Sequence, residues 1–177
     1  MRLNLLHLSI VCCFLPLLSL EANETIPLPV AALSAKADLV LEGRVVSSTV
    51  QRDPQGRIYT KIDLQVAEVW KGNLATNHFT IVHGGGILGE ERTTVSGQVE
   101  YEIGEEVVAF LVLNPRGEGV TIGLSQGKFH VWQDAATGQK MANNPFHGQP
   151  ESSASNRNAA RQLPLATLKQ SVTEAAQ

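Results

Sequence analysis

A chain of 177 residues with 14 Lys and Arg against 17 Asp and Glu, a net charge of −3, carries no cationic excess. That balance speaks against nucleic acid and against anionic membrane surfaces as partners. The length suits one domain, alone or with a loosely ordered tail.

Residues 1–22 read as a secretory signal. Arg2 supplies a short positive region, Leu5 to Leu20 is mostly apolar, and Glu21-Ala22 ends the run, with cleavage expected after Ala22. His7 and Pro16 interrupt the stretch, which favours a cleaved leader over a membrane span, so no integral span is expected after cleavage. Ser9-Ile10-Val11 precede Cys12, whereas a lipoprotein signal places a small residue directly before its cysteine. Both cysteines lie in this segment, so the exported chain is expected to be disulfide-free and held by a hydrophobic core.

Residues 23–36 read as a polar, proline-containing leader with a short helix over Val30 to Ala37. From Ala37 to Gly72 two strands with period-two patterning flank Asp53-Pro54-Gln55-Gly56, a turn in which Pro presets φ and Gly takes a positive one. Leu39, Leu41, Gly43 and Val45 alternate with Val40, Glu42, Arg44 and Val46, which predicts one core face and one wet face. Ile58, Thr60, Ile62, Leu64 and Val66 do the same against Tyr59, Lys61, Asp63, Gln65 and Ala67, until Val69 breaks the alternation and predicts a bulge near Ala67-Glu68. Phe79 to His83 is a third strand, ended by Gly84-Gly85-Gly86, and Ile87 to Gly97 reads as a loop. Val107 to Leu113 is apolar on both faces, which predicts a central strand covered on both sides. Val120 to Leu124 and Lys128 to Trp132 are two short strands, or one bent at Ser125-Gln126-Gly127. Residues 134–163 are poor in large apolar side chains and read as low-complexity or disordered. Over 164–177, Pro164 opens a short amphipathic helix with Leu165, Leu168 and Val172 on one face.

Five or six short strands with Gly-rich turns predict a mainly β fold. The expected architecture is an OB-like Greek-key barrel over 37–133 with a short helix before it and an amphipathic helix after it.

The residue patterns with chemical potential point two ways. His83-Gly84-Gly85-Gly86 has the form of an oxyanion-hole loop and Gly123-Leu124-Ser125-Gln126-Gly127 that of a nucleophile elbow, with Asp134 and His147 following in the order a triad uses. An elbow needs a helix directly after the serine, and here Lys128 to Trp132 alternates like a strand. A Ser125 hydrolase is therefore the second reading, and no catalytic residue is assigned. His78, His83, His130 and His147 show no metal-ligand spacing, and Gly84-Gly85-Gly86 lacks the Gly-Lys-Ser/Thr and helix of a phosphate loop. No metal or cofactor is expected. Tyr59, Trp70, Phe129 and Trp132 lack the cationic neighbours of a base-stacking face, and core packing accounts for them better.

The string ADLVLEGRVVSS, a turn, and then a strand ending in EVWKG resembles the opening of netrin-like domains and tissue inhibitors of metalloproteinases. Tyr101 to Leu111 is similar to a later strand of the same proteins, so the resemblance spans about Ala37 to Leu113. The order Gly84-Gly85-Gly86, Val95-Ser96-Gly97 and Gly104 to Leu111 also resembles a set of exported bacterial proteins of unassigned function. The resemblance implies an OB-like barrel. The inhibitors place an N-terminal cysteine on the catalytic zinc, and no cysteine follows residue 22 here, so no inhibitory residue carries over. The expected function is a non-enzymatic binding or interaction module acting on another exported protein, periplasmic or secreted. Its contact loop would hold Gly84, Gly85, Gly86, Glu90, Glu91 and Arg92.

Overall fold

The computed structural model describes residues 26–147, 149–150 and 161–175, and the expected signal over 1–22 lies outside them. The elements in chain order are helix α1 (Val30–Lys36), strands β1 (Leu39–Arg52), β2 (Ile58–Lys71), β3 (His78–Gly84), β4 (Gly86–Leu88), β5 (Glu91–Thr93), β6 (Glu106–Leu113) and β7 (Gly119–Thr121). A 3₁₀ turn (Leu124–Gly127) leads into β8 (Lys128–Gln133), β9 (Lys140–Asn144), β10 (Gln149–Pro150), β11 (Arg161–Pro164) and helix α2 (Leu165–Ala175).

Five strands close into a barrel in the order β1-β2-β3-β7-β6 and back to β1. Every pairing is antiparallel except β3 with β7, which run parallel at Ile81 and Gly119. That connection is the Greek-key order of an OB barrel. The predicted hairpin is its frame. Opposite Glu42 and Gly43 stand Glu68 and Val66, leaving Ala67 as the extra residue of the predicted bulge. Further irregularities at Val40/Leu41 and Val45/Ser47 bend β1 around the barrel.

Two cores form on the two faces of the same strands. Leu41, Ile62, Leu64, Ile81, Val107 and Leu111 fill the barrel. Val40, Val108, Phe110, Phe129 and Ala142 meet Leu33 of α1 and Leu165, Leu168 and Val172 of α2 in the other. The expectation of a wet face opposite Leu39 and Leu41 is therefore corrected, since Val40 is 0% and Glu42 7% exposed. The helices supply the cover. Ser34 Oγ–H donates to the Val172 carbonyl at 3.3 Å, joining α1 to α2. Lys71 donates to the Ser34 and Ala37 carbonyls at 2.6 and 2.8 Å, a cation at the carbonyl end of α1.

Within 134–163, Lys140–Asn144 forms β9 on β8, and Arg161–Pro164 pairs with β9 in turn. Residues 148 and 151–160 lie outside the described set. Order at β9 comes from neighbours rather than side-chain bulk. Ala142 is fully buried, and the Asn144 amide donates to the carbonyls of Ser125, Gln126 and Lys128 at 3.1, 3.0 and 2.7 Å. Pro164 ends β11, and α2 starts one residue later than its sequence suggests. The loop expected over Ile87 to Gly97 contains the small β4–β5 hairpin.

The bend between β7 and β8 makes one position steric. A Cβ on Gly127 would stand 2.6 Å from the Ile122 carbonyl oxygen and 3.0 Å from that of Phe110, both backbone atoms that cannot step aside. Gly127→Ala is expected to cost about 1–3 kcal/mol in a denaturant titration. A midpoint equal to that of the unaltered protein would contradict this packing.

Candidate functional site

A cavity of about 650 Å³ opens where the β1–β2 hairpin, the end of β3 and the β6–β7 turn meet. Tyr59 and Val82 lie on its β2–β3 side, Arg52 and Arg57 come from the hairpin tip, and Arg116 and Val120 stand opposite. Thr93, Val95 and Gln98 close the end. A second cavity of about 460 Å³ continues along Ser47, Asp63 and Thr80 to Gly117 and Glu118, and Arg116 borders both. The two form one cleft on the outer side of β2 and β3, between the loops that flank the ligand face of OB barrels.

Its walls are built locally. In the β6–β7 turn, Asn114 Oδ1 accepts the amides of Arg116 and Glu118 at 2.8 and 3.1 Å, and the Asn114 amide nitrogen donates to Glu118 Oε2 at 2.8 Å. This fixes Glu118, to which Arg116 is paired at 2.7 Å, with its guanidinium 5.9 Å from the Tyr59 ring centre. Desolvation works to raise the Glu118 carboxyl, but hydrogen bonds from Asn114 and Arg116 outweigh it and hold it below the usual carboxylate value. At the hairpin tip Asp53 Oδ1 accepts the amides of Gln55 and Arg57 at 3.0 and 2.8 Å, and Arg57 Nε returns to Asp53 Oδ2 at 2.7 Å. Arg52 reaches Glu91 on β5 at 2.9 Å, tying the tip to the small hairpin. Each guanidinium thus keeps a carboxylate partner while part of it faces the cleft.

Of the six residues expected to form a contact loop, Gly84, Gly85 and Glu91 line the larger cavity, while Gly86, Glu90 and Arg92 do not. Close approach explains the glycines. Thr60 Oγ–H donates to the Gly85 carbonyl at 2.8 Å and the Gly85 amide to Ile58 at 2.9 Å. A Cβ at Gly85 would sit 2.6 Å from the Thr93 carbonyl oxygen, and one at Gly86 would press Val50 and Thr60. Tyr59, Arg57, Arg116 and Val120 were not singled out as a set. The signal available for them was Asn114-Pro115-Arg116-Gly117, a tight turn carrying an arginine between two strands.

The hydrolase residues are not gathered. Ser125 lies in the 3₁₀ turn, followed by β8 rather than a helix, and its carbonyl is held by Asn144. Asp134 sits past the far end of β8, roughly 20 Å of strand away. Its carboxylate accepts the Ala136 amide and the Thr137 hydroxyl at 2.8 and 3.0 Å. His147 stacks on Phe129 at 5.4 Å. Among the described residues no group of three or more His, Cys, Asp or Glu is placed to hold a metal ion. No helix among them is long and apolar enough to cross a membrane. The four aromatics considered for stacking are dispersed: Phe129 is in the helix-side core, Trp70 is buried, Trp132 stacks on His130, and Tyr59 lines the cleft, whose second cavity Phe79 also borders.

Compared with protein-family models and with curated proteins, the sequence matches none.

Asp63, on the cleft floor, accepts Ser47 Oγ–H at 2.7 Å and Thr80 Oγ–H at 2.9 Å. These bonds, that from Ser47 first, hold its carboxyl below its ordinary value of 3.8. A depressed folded value gives stability that is present above the ordinary carboxylate range and lost as pH falls through the folded value. The melting temperature of the unaltered protein is therefore expected to fall more steeply from pH 5 to pH 3 than that of Asp63→Asn. Parallel curves would remove Asp63 from the balance.

Proposed function

We propose that the chain is an exported, non-enzymatic binding module whose partner is another exported protein, seated in the cleft between the hairpin tip and the β6–β7 turn. The observation that carries this reading is the pre-built wall. The Asn114–Glu118 turn is fixed by its own hydrogen bonds and holds Arg116 at the junction of two cavities. A preorganised rim loses little side-chain freedom on binding, which is where recognition surfaces gain affinity. Tyr59, Val82 and Val120 offer apolar area beside three guanidiniums, the mixture that anchors protein contacts. The OB architecture, shared with netrin-like domains, is a scaffold that presents such loops.

The test is affinity capture from the exported fraction of the source cells. Val120→Trp fills the cleft from an exposed position, and Arg116→Ala removes the shared wall. Both are expected to cut recovery of the captured protein at least tenfold with circular dichroism unchanged, while Ser125→Ala recovers it in full. Equal recovery with all variants would overturn the cleft as the seat. Turnover of simple esters by the purified protein, abolished in Ser125→Ala, would overturn the non-enzymatic reading.

A further inference from the structure

β1 has two strand neighbours only along its first half. Leu39 to Arg44 pair with β6, and Val45 continues through its amide to Glu105 and its carbonyl to Gly104. Beyond that point, Ser47 to Arg52 pair with β2 alone among the described residues, and Val46 is the extra residue of the irregularity before them. The direction of the unused groups follows from the hairpin. The Asp53 amide donates to Arg57 at 2.9 Å, so in an alternating antiparallel ladder Gln51, Thr49 and Ser47 bond to β2. Ser48, Val50 and Arg52 then turn their N–H and C=O groups away from it.

Past the irregularity at Val46, this edge has few of the devices that keep edges apart, and its one charge, Arg52, is held by Glu91. Ser47 to Arg52 run in unbroken register with β2, and the sequence VSSTVQR contains no Pro, no Lys and no acidic residue. Its residue types favour extended backbone. We propose that a second copy of this chain occupies the edge, pairing antiparallel about a two-fold axis at Thr49. In that register Ser48 faces Val50 of the other copy, Ser47 faces Gln51, and Val46 faces Arg52. The single charge of the segment therefore meets an apolar residue and not its own copy, which is the charge pattern self-pairing requires. Ser48 and Val50 exchange both main-chain hydrogen bonds, and the sheet runs continuously through β3, β2 and β1 of each protomer. A two-fold contact closes on itself and does not propagate. The contact is small beside the roughly 1,200 Å² of stable interfaces, so the dimer forms at about 10–100 µM. The edge shares Arg52 with the larger cavity and Val46 and Ser47 with the smaller, but the main-chain groups that would pair point away from β2, so Ser48, which lines neither cavity, separates the two surfaces in a test.

Sedimentation velocity of the purified protein from about 5 to 500 µM tests it. The expected result is a monomer–dimer transition, with amide exchange at Ser48 and Val50 slowing as concentration rises. Ser48→Pro removes an edge donor at an exposed position, and Ser48→Lys leaves the backbone intact while placing two cations near the axis. Each is expected to weaken dimerisation at least tenfold with the melting temperature held. A monomer throughout, dimerisation unaffected in Ser48→Lys, or concentration-dependent protection only at other strands would overturn the proposal.

Discussion

The fold depends on β6 being buried on both faces and used on both edges. Val107, Ala109 and Leu111 point into the barrel, Val108 and Phe110 point at the helices, and all five are fully buried. One edge pairs with β1; the other is shared, with Leu111 to Leu113 taken by β7 and Glu106 to Ala109 by β8. One strand thus carries the closing pair of the barrel and the first pair of an added sheet. The chain must leave β7 and re-enter as β8 over six residues, which explains the conformation between them. Gly123 and Leu124 both adopt φ of 59°, a left-handed geometry that costs a leucine about 1 kcal/mol or more. Buried Asn144 donates to the Ser125 and Gln126 carbonyls that this bend exposes, while the buried Gln126 side chain ties the bend to the segment before α1 by accepting the Leu28 amide at 2.7 Å.

Where the added sheet meets the barrel, charges line the seam. Lys140 pairs with Glu42 at 3.0 Å and also with Glu106, and the Glu106 bond foremost raises its ammonium above the ordinary value. Lys128 joins Glu105 at 2.6 Å, donates to the Glu100 carbonyl and lies 4.8 Å from the Tyr101 ring centre. Tyr101 itself closes the barrel, its hydroxyl 2.7 Å from Thr121 Oγ1, and burial pushes its phenol far above the usual range. The carboxylates of these ion pairs are largely buried, and a pair with a buried partner repays desolvation only in good geometry. Gly104-Glu105-Glu106, noticed in the sequence as part of a resemblance, supplies carboxylates to this seam.

What the sequence made legible were the features decided by side-chain period. The hairpin, the bulge at Ala67, the doubly apolar strand and the Leu165, Leu168, Val172 face each follow from local alternation. Features decided by distant neighbours were not legible. Val40 and Glu42 look like a wet face until two helices from opposite ends of the chain cover them, and Lys140–Asn144 looks unstructured until β8 offers an edge. The candidate site divides the same way. Gly84, Gly85 and Glu91 were reachable from a glycine cluster, whereas Tyr59 and Arg116 are 57 positions apart and meet only through barrel closure.

Glycine motifs drew attention to chemistry because function and close packing select the same residue. In His83 to Gly86 and Gly123 to Gly127, the carbonyls of Thr93, Ile122 and Phe110 stand where a side chain would begin, which accounts for Gly85 and Gly127 without a substrate. The cleft has a different origin. β3 and β7 pair only at Ile81 and Gly119, so past that point the strands separate, and Val82 and Val120 border the opening. A barrel closed by one parallel pair must gape on the far side of it, and the loops that flank the gap then decide what it presents. In this chain they present arginines, each already held by a carboxylate. Their geometry is set within the chain itself, by carboxylates that occupy only some of the five N–H donors of each guanidinium.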